Sequence, residues 1–209
     1  MHLTQAVIPY AVAARLKLFN AYDWHQFVWR AFPERGQDTR DFLTRLERHE
    51  REDRFRLLIL SASTPQRPAE LADASVIWQS KTVADSFLNH DAYRFQIRVN
   101  PTKRDHQTRK RVPLLEQEEQ LAWLERKAGQ SGFRVLPESV RILPEGRQVF
   151  RDRAGKKAGL HHAVEFEGVL VVEQRDRFHQ AFARGIGSAK AFGFGLLALV
   201  PCSLPGGTQ

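Results

Sequence analysis

A single cysteine, Cys202, occurs in 209 residues. Neither a disulfide framework nor a cysteine-based zinc site can be built from it, and a free cysteine near a strand end is most often a small packed side chain. No apolar run approaches the roughly 20 residues that a membrane span needs, and the N-terminus lacks a basic stretch followed by an apolar one. We expect a cytoplasmic chain with no membrane partner. Two phosphate motifs are missing as well. There is no G-x-x-x-x-G-K-[ST] and no G-x-G-x-x-G between a strand and a helix, so nucleotide hydrolysis and dinucleotide binding are weak readings. The His-x-Glu with Pro-Cys-x-x-Cys of zinc deaminases is missing too. His161 and His162 are adjacent on an expected strand and face opposite ways, which defeats a shared metal site. No metal and no cofactor is expected.

What is present is positive charge. Lys plus Arg number 32 against 24 Asp plus Glu, a formal net charge of +8. Such a balance predicts a polyanionic partner without saying which. The charges cluster. Arg98 to Arg111 holds Arg98, Lys103, Arg104, Arg109, Lys110 and Arg111 against Asp105. Arg147 to Lys157 holds Arg147, Arg151, Arg153, Lys156 and Lys157 against Asp152, and Gly155 there suits a hairpin tip. A third stretch, Arg184 to Val200, reads R-G-I-G-S-A-K-A-F-G-F-G-L-L-A-L-V. Its glycines, Gly185 and Gly187 among them, permit close backbone approach to a ligand. Successive N–H groups beside Lys190 would cradle an anion. Either basic cluster alone could be a solvated loop; both, with the glycine loop, favour nucleic acid.

Apolar spacing predicts an α+β fold. The first half gives a strand at 3–8, a connecting stretch at 11–20 with room for a helical turn, and a helix at 22–32 ended by Pro33. Strands at 42–47, 55–61 and 76–83 follow, with a helical turn at 69–74. The order is β-α-β-β-α-β, the ferredoxin-like (RRM-like) arrangement. Residues 84–91 look like a linker. The second half offers a strand at 93–99, a basic loop and a strand-like 112–115. The helix at 116–128 opens on E-Q-E-E, which suits its dipole. Strand-like 133–136, 140–143, 148–151 and 159–172 follow, then a helix at 175–184 ended by Gly185. After the glycine-rich loop comes a closing strand at 196–200. We therefore expect two tandem ferredoxin-like βαββαβ domains, at 1–85 and 92–200, and a frayed tail at 201–209.

Among the histidines, His25 differs in its setting, Y-D-W-H-Q near the start of the first helix. Tyr22 and His25 share a helix face. A histidine near neutral pKa can move protons to and from an RNA 2′-hydroxyl or a leaving 5′-oxygen without metal. By spacing alone this role competes with the commoner one of a packed or surface histidine.

Six segments run in order along nearly the whole chain: A-Y-D-W-H-Q-F-V-W-R-A-F-P, R-D-F-L-T-R-L-E, R-F-Q-I-R-V-N-P-T-K, E-Q-L-A-W-L-E-R-K, V-E-F-E-G-V-L-V-V and G-I-G-S-A-K-A-F-G-F-G-L-L. Together they resemble the CasE family, the CRISPR RNA-processing endoribonucleases of type I-E systems. The resemblance implies metal-independent cleavage of precursor CRISPR RNA at the 3′ base of the repeat stem-loop. The 2′-hydroxyl would attack the adjacent phosphate, leaving a 2′,3′-cyclic phosphate (or 3′-phosphate) and a 5′-hydroxyl. It also implies that the enzyme keeps its product and joins other subunits of Cascade. Under the resemblance His25 is catalytic, Tyr22 supports it and Arg30 steadies phosphate charge. Arg151, Arg153, Lys156 and Lys157 would belong to a basic hairpin that grips the stem. A non-catalytic RNA-binding scaffold subunit of the same fold is the alternative. The retained Y-x-x-H argues against it, and a small-molecule enzyme has no signature here.

Overall fold

The apolar alternation of residues 2–9 becomes β1 (His2–Pro9), in which Thr4, Ala6 and Ile8 are buried and their neighbours less so. The computed structural model describes residues 1–33, 40–151 and 157–204; within these, 144, 145, 147–151 and 157–160 are described by backbone alone. The chain divides into two units. One takes Met1–Val83, Val149–Gly159 and Lys190–Gly193, the other Ala84–Gln148, Leu160–Ala189 and Phe194–Gln209.

In the first unit α1 (Tyr10–Arg15) and α2 (Ala21–Trp29) follow β1. Then come β2 (Phe42–His49), β3 (Arg54–Ser61) and β4 (Ile77–Thr82). All pairings are antiparallel and the sheet order is β2-β3-β1-β4. Ala6, Ile8, Leu57 and Ile59 of the sheet pack against Val12 and Ala13 of α1 and Trp24, Phe27 and Val28 of α2. Burying a side chain of this size contributes on the order of 2 kcal/mol, so this core holds α2 against the sheet.

The helix expected at 22–32 stops at Trp29. Arg30, Ala31 and Phe32 donate instead to the carbonyls three residues back, each at 3.0 Å. Pro33 disfavours the α conformation just before it, and the tighter turn is the way out. The helical turn allowed within the connection at 11–20 is α1, which begins straight after Pro9.

The second sheet has the order β11-β5-β10-β8, built from β5 (Ala92–Val99), β8 (Phe133–Val135), β10 (Lys157–Val172) and β11 (Leu197–Pro201). A small hairpin, β6 (Thr102–Arg104) with β7 (Arg111–Pro113), forms from the basic loop. The helices are α3 (Gln117–Gln130) and α4 (Arg175–Arg184). Tyr93, Phe166, Phe178 and Phe194 are fully buried.

Three expectations change here. The two short strands expected at 140–143 and 148–151 are one, β9 (Arg141–Arg151), paired with β10. Pro144 and Gly146 lie between the two expected strands, yet β9 runs through them and pairs with the long β10, and Gly146 takes φ +78, a value glycine reaches without penalty. The linker at 84–91 is packed: Leu88 is buried, and the Tyr93 hydroxyl donates to Phe87 O at 2.7 Å and accepts from His90 N–H at 3.1 Å. The tail expected from 201 begins later, because Pro201 completes β11 and Cys202 N–H donates to Ala92 O at 3.1 Å. No described helix is long and apolar enough to cross a membrane.

Candidate functional site

Helix α2 starts where it does because of Asn20. The Asn20 side chain accepts from the N–H groups of Tyr22 (2.9 Å) and Asp23 (3.1 Å), and the Asp23 carboxylate accepts from Asn20 N–H at 3.1 Å. This reciprocal cap satisfies donors that a bare helix end leaves open. With the start set, Trp24, Phe27 and Val28 turn inward. His25 and Trp29 fall one above the other on a neighbouring face, as residues four apart do.

Phe42, at the head of β2, closes that face. Its ring centroid lies 6.2 Å from that of His25 and 5.1 Å from that of Trp29, and it stacks on Phe32 at 5.0 Å. The Trp29 indole N–H donates to His25 Nε2 at 3.2 Å. Indole nitrogen is a donor only, so Nε2 must be the bare nitrogen and the neutral ring carries its proton on Nδ1. Nδ1 is shut from solvent and has no hydrogen-bond partner among the described residues. The imidazole is therefore held below the usual histidine pKa, first by burial and then by the positive charge of Arg40. A proton added at Nε2 would also face the indole N–H. His25 is thus poised neutral, with one nitrogen tied to Trp29 and the other capped by its surroundings.

Tyr22 stands one turn before His25 on α2, half-buried. Arg30 is not brought to this face. Five positions along a helix is about 140° around it from His25. The Arg30 guanidinium donates to the Glu70 carboxylate at 2.7 Å and lies 5.8 Å over the Phe27 ring, half-exposed.

Part of the glycine-rich loop does come to this place. The single turn Lys190–Phe192 packs against α2 and β2. The rest of the loop belongs to the other unit, where its N–H groups are largely spent. Gly185 N–H donates to Ala181 O at 2.8 Å, Ile186 N–H to Gly195 O at 2.9 Å and Gly195 N–H to Arg98 O at 2.8 Å. Gly195 has φ +85 and a Cβ there would meet Ile186 O at 2.5 Å, so the glycine serves chain closure. A Cβ on Gly187 would lie 3.3 Å from the Trp123 ring. The cradle of N–H groups expected from the sequence is correspondingly narrower.

Arg98 lies over the Phe194 ring at 5.4 Å. In the β6–β7 hairpin Lys103 pairs with Glu119 at 2.6 Å, while Arg104 and Arg111 stand directly opposite one another, both exposed. Like charges facing across a ladder cost stability. Arg109 holds φ +58 at the tip, beside the exposed Lys110. Arg151 ends β9 and Lys157 begins β10, by backbone alone, and Arg153 and Lys156 lie outside the described residues. Among the described residues no group of three or more His, Cys, Asp or Glu side chains is placed to hold a metal ion.

Residue spacing alone does not single out Trp29 or Arg40. The signal for Trp29 was its position four residues after His25; for Arg40 there was none, because it lies eleven positions beyond the end of α2.

A family profile described as CRISPR associated protein matches residues 1–201. The Cascade subunit CasE of Escherichia coli (strain K12) is 35% identical over 96% of this chain and 100% of its own length. The chain belongs to the CasE family of CRISPR-associated proteins. A second relative, the CRISPR-associated endoribonuclease Cse3 of Thermus thermophilus, is 33% identical over 96% of this CasE-family chain and all of its own. The solved structure of the CRISPR endoribonuclease Cse3 bound to a 19-nucleotide RNA superposes with a TM-score of 0.83, at 31% identity, covering 96% of this chain and 100% of that one. The mixed α+β architecture with antiparallel sheets is common to both.

Proposed function

We propose that this chain is a metal-independent endoribonuclease that cuts precursor CRISPR RNA at the 3′ base of the repeat stem-loop and stays with its product as a Cascade subunit. The observation that carries the reading is His25, an imidazole kept neutral on a capped helix, with neither nitrogen consumed by a carboxylate. Two relatives that this chain covers over their full length carry the names of a Cascade subunit and of an endoribonuclease, which supports the reading.

The 2′-hydroxyl oxygen attacks the adjacent phosphorus and gives up its proton. The P–O5′ bond breaks, and the departing 5′-oxygen takes a proton to become a hydroxyl. The 3′-oxygen and the two non-bridging oxygens stay bonded to phosphorus, which together with the new O2′–P bond leaves a 2′,3′-cyclic phosphate. His25 handles the proton traffic, Tyr22 on the same helix face orients it, and Arg30 serves the phosphate once it leaves Glu70. In the free protein the ring nitrogens are occupied or covered. The imidazole therefore turns as the RNA arrives and gives up a bond to Trp29 that contributes about 1 kcal/mol.

Binding falls to the cations. Arg98, Lys103, Arg104, Arg109, Lys110 and Arg111 offer a phosphate track. The basic stretch holding Arg151, Arg153, Lys156 and Lys157 does the same for the stem, and Gly185, Gly187 and Lys190 contribute from the glycine-rich segment. A-form RNA is read largely through shape and backbone, so these side chains position more than they specify. The strand orders support two tandem ferredoxin-like domains, 1–85 and 92–200. In each sheet the first and third strands of a βαββαβ unit lie centrally and the second and fourth at the edges.

A repeat stem-loop labelled at one end, incubated in EDTA beside a substrate with a 2′-deoxy nucleotide at the cut site, tests the reading. Cleavage of the first and survival of the second are expected, with His25→Ala binding both and cutting neither. The covered Nδ1 in the free protein favours, as the second reading, an RNA-binding scaffold that holds the stem-loop without cutting it. Tight binding of the all-ribose stem-loop without cleavage would establish that reading instead.

A further inference from the structure

Phe42 is fixed against His25 and Trp29 by ring packing, and β2 is fixed by its ladder to β3. Two residues before Phe42 is Arg40, half-buried and close enough for its charge to be felt at the imidazole. Four other arginines of this unit have carboxylates: Arg15 pairs with Asp73, Arg30 with Glu70, and Arg45 and Arg56 with Glu47. Arg40 forms no ion pair with an acidic side chain among the described residues, and burial alone lowers its pKa. A guanidinium drawn out of water without a carboxylate is costly. Next to a group that must itself stay neutral, it is an anion site waiting for its anion.

We propose that Arg40 is a second cationic group of the cleavage site, presenting its planar fork to the non-bridging oxygens of the scissile phosphate while His25 exchanges protons. The inference rests on the nuclease reading above. Guanidinium matches a phosphate with two parallel hydrogen bonds, and charge accumulates on those oxygens as phosphorus becomes five-coordinate. After burial, the same charge helps to keep the resting imidazole deprotonated. Helix α2 carries His25 with Tyr22, Asp23 and Trp29, the residues just before β2 carry Arg40 and Asp41, and the turn Lys190–Phe192, which packs on α2 and β2, carries Lys190. Removing Arg40 therefore shifts the imidazole's protonation to higher pH.

The test is single-turnover cleavage of the repeat stem-loop in EDTA, with binding measured separately on the 2′-deoxy substrate, for the wild type and for Arg40→Ala and Arg40→Lys. We expect Arg40→Ala to cut about 100-fold more slowly, the loss typical of removing one donor to a developing oxyanion, while its Kd changes less than about threefold, the pattern of an interaction made in the transition state. Whichever limb of the pH–rate profile reports the imidazole moves to higher pH, and Arg40→Lys recovers part of the rate. Arg40→Ala cutting as fast as wild type with an unmoved profile would overturn the inference and leave the nuclease reading intact. So would a loss of cleavage matched by an equal loss of binding. A wild type that binds but does not cut would overturn both.

Discussion

Replacing Trp29 with phenylalanine removes one hydrogen atom that the structure places at the centre of the site. The phenyl ring keeps most of the packing on Phe42, whose centroid is 5.1 Å away, and loses the indole N–H that donates to His25 Nε2 at 3.2 Å. A hydrogen bond of this kind contributes about 1 kcal/mol net, which is a factor of about 5 in an equilibrium between two tautomers. In the wild type that factor favours the proton on Nδ1; in Trp29→Phe it is gone. The variant also frees Nε2 to accept a proton, so the imidazole pKa rises toward the ordinary value of 6.5. Nitrogen-15 shifts of labelled histidine read both effects in one titration. In the wild type Nε2 is expected to show the shift of a bare ring nitrogen and Nδ1 that of a protonated one. In Trp29→Phe the two signals move toward one another and the midpoint moves to higher pH. A wild-type spectrum with the proton on Nε2 would refute the reasoning, because the bond from Trp29 could not then exist.

Other predictions follow from the same geometry. His25 and His161 are both held below 6.5 in the folded chain, chiefly by burial. The unfolded chain therefore binds more protons as pH falls below about 6.5, and the folded state loses stability there. The melting temperature should drop between pH 7.5 and 5.5, and the drop should shrink in a His25→Gln, His161→Gln double variant; an unchanged slope would contradict the burial argument. Arg104 and Arg111 face one another across the β6–β7 ladder, so Arg111→Ala should not destabilise the fold. Removing both arginines should reduce the slope of log K against log salt for stem-loop binding by up to about 2, roughly one for each phosphate no longer neutralised. Gly195→Ala combines φ +85 with a Cβ 2.5 Å from Ile186 O. It should cost well over 1 kcal/mol in chemical denaturation, and a neutral result would mean that the loop closes differently.

The sequence showed clearly those features that depend on local periodicity. Tyr93, Phe95, Ile97 and Val99 alternate and are buried as expected, and the helix at 175–184 ends at Gly185, whose φ is +74. What it missed was decided by partners distant in the chain. The P-E-G-R of 144–147 looks like a turn until a sixteen-residue strand is available to pair beside it. Distance along the chain conceals that the charge of Arg40 is felt at His25. Histidine in Y-x-x-H could be placed on a face, but its tautomer required the indole, and the indole's role appears only when Phe42 from another element pins both rings. Glycines suggested an anion cradle because sequence counts N–H groups without knowing which carbonyls consume them.

Order of synthesis gives one more consequence of the way the first unit is assembled. The capped helix with His25 is made within the first thirty residues, and β2 within the first fifty. The turn that packs on both is encoded by residues 190–193 of 209. A ribosome must therefore translate as far as residue 193 before this surface is complete. A nascent chain carries the histidine long before it carries the site, and a truncated product ending at residue 85 would have the same deficiency permanently.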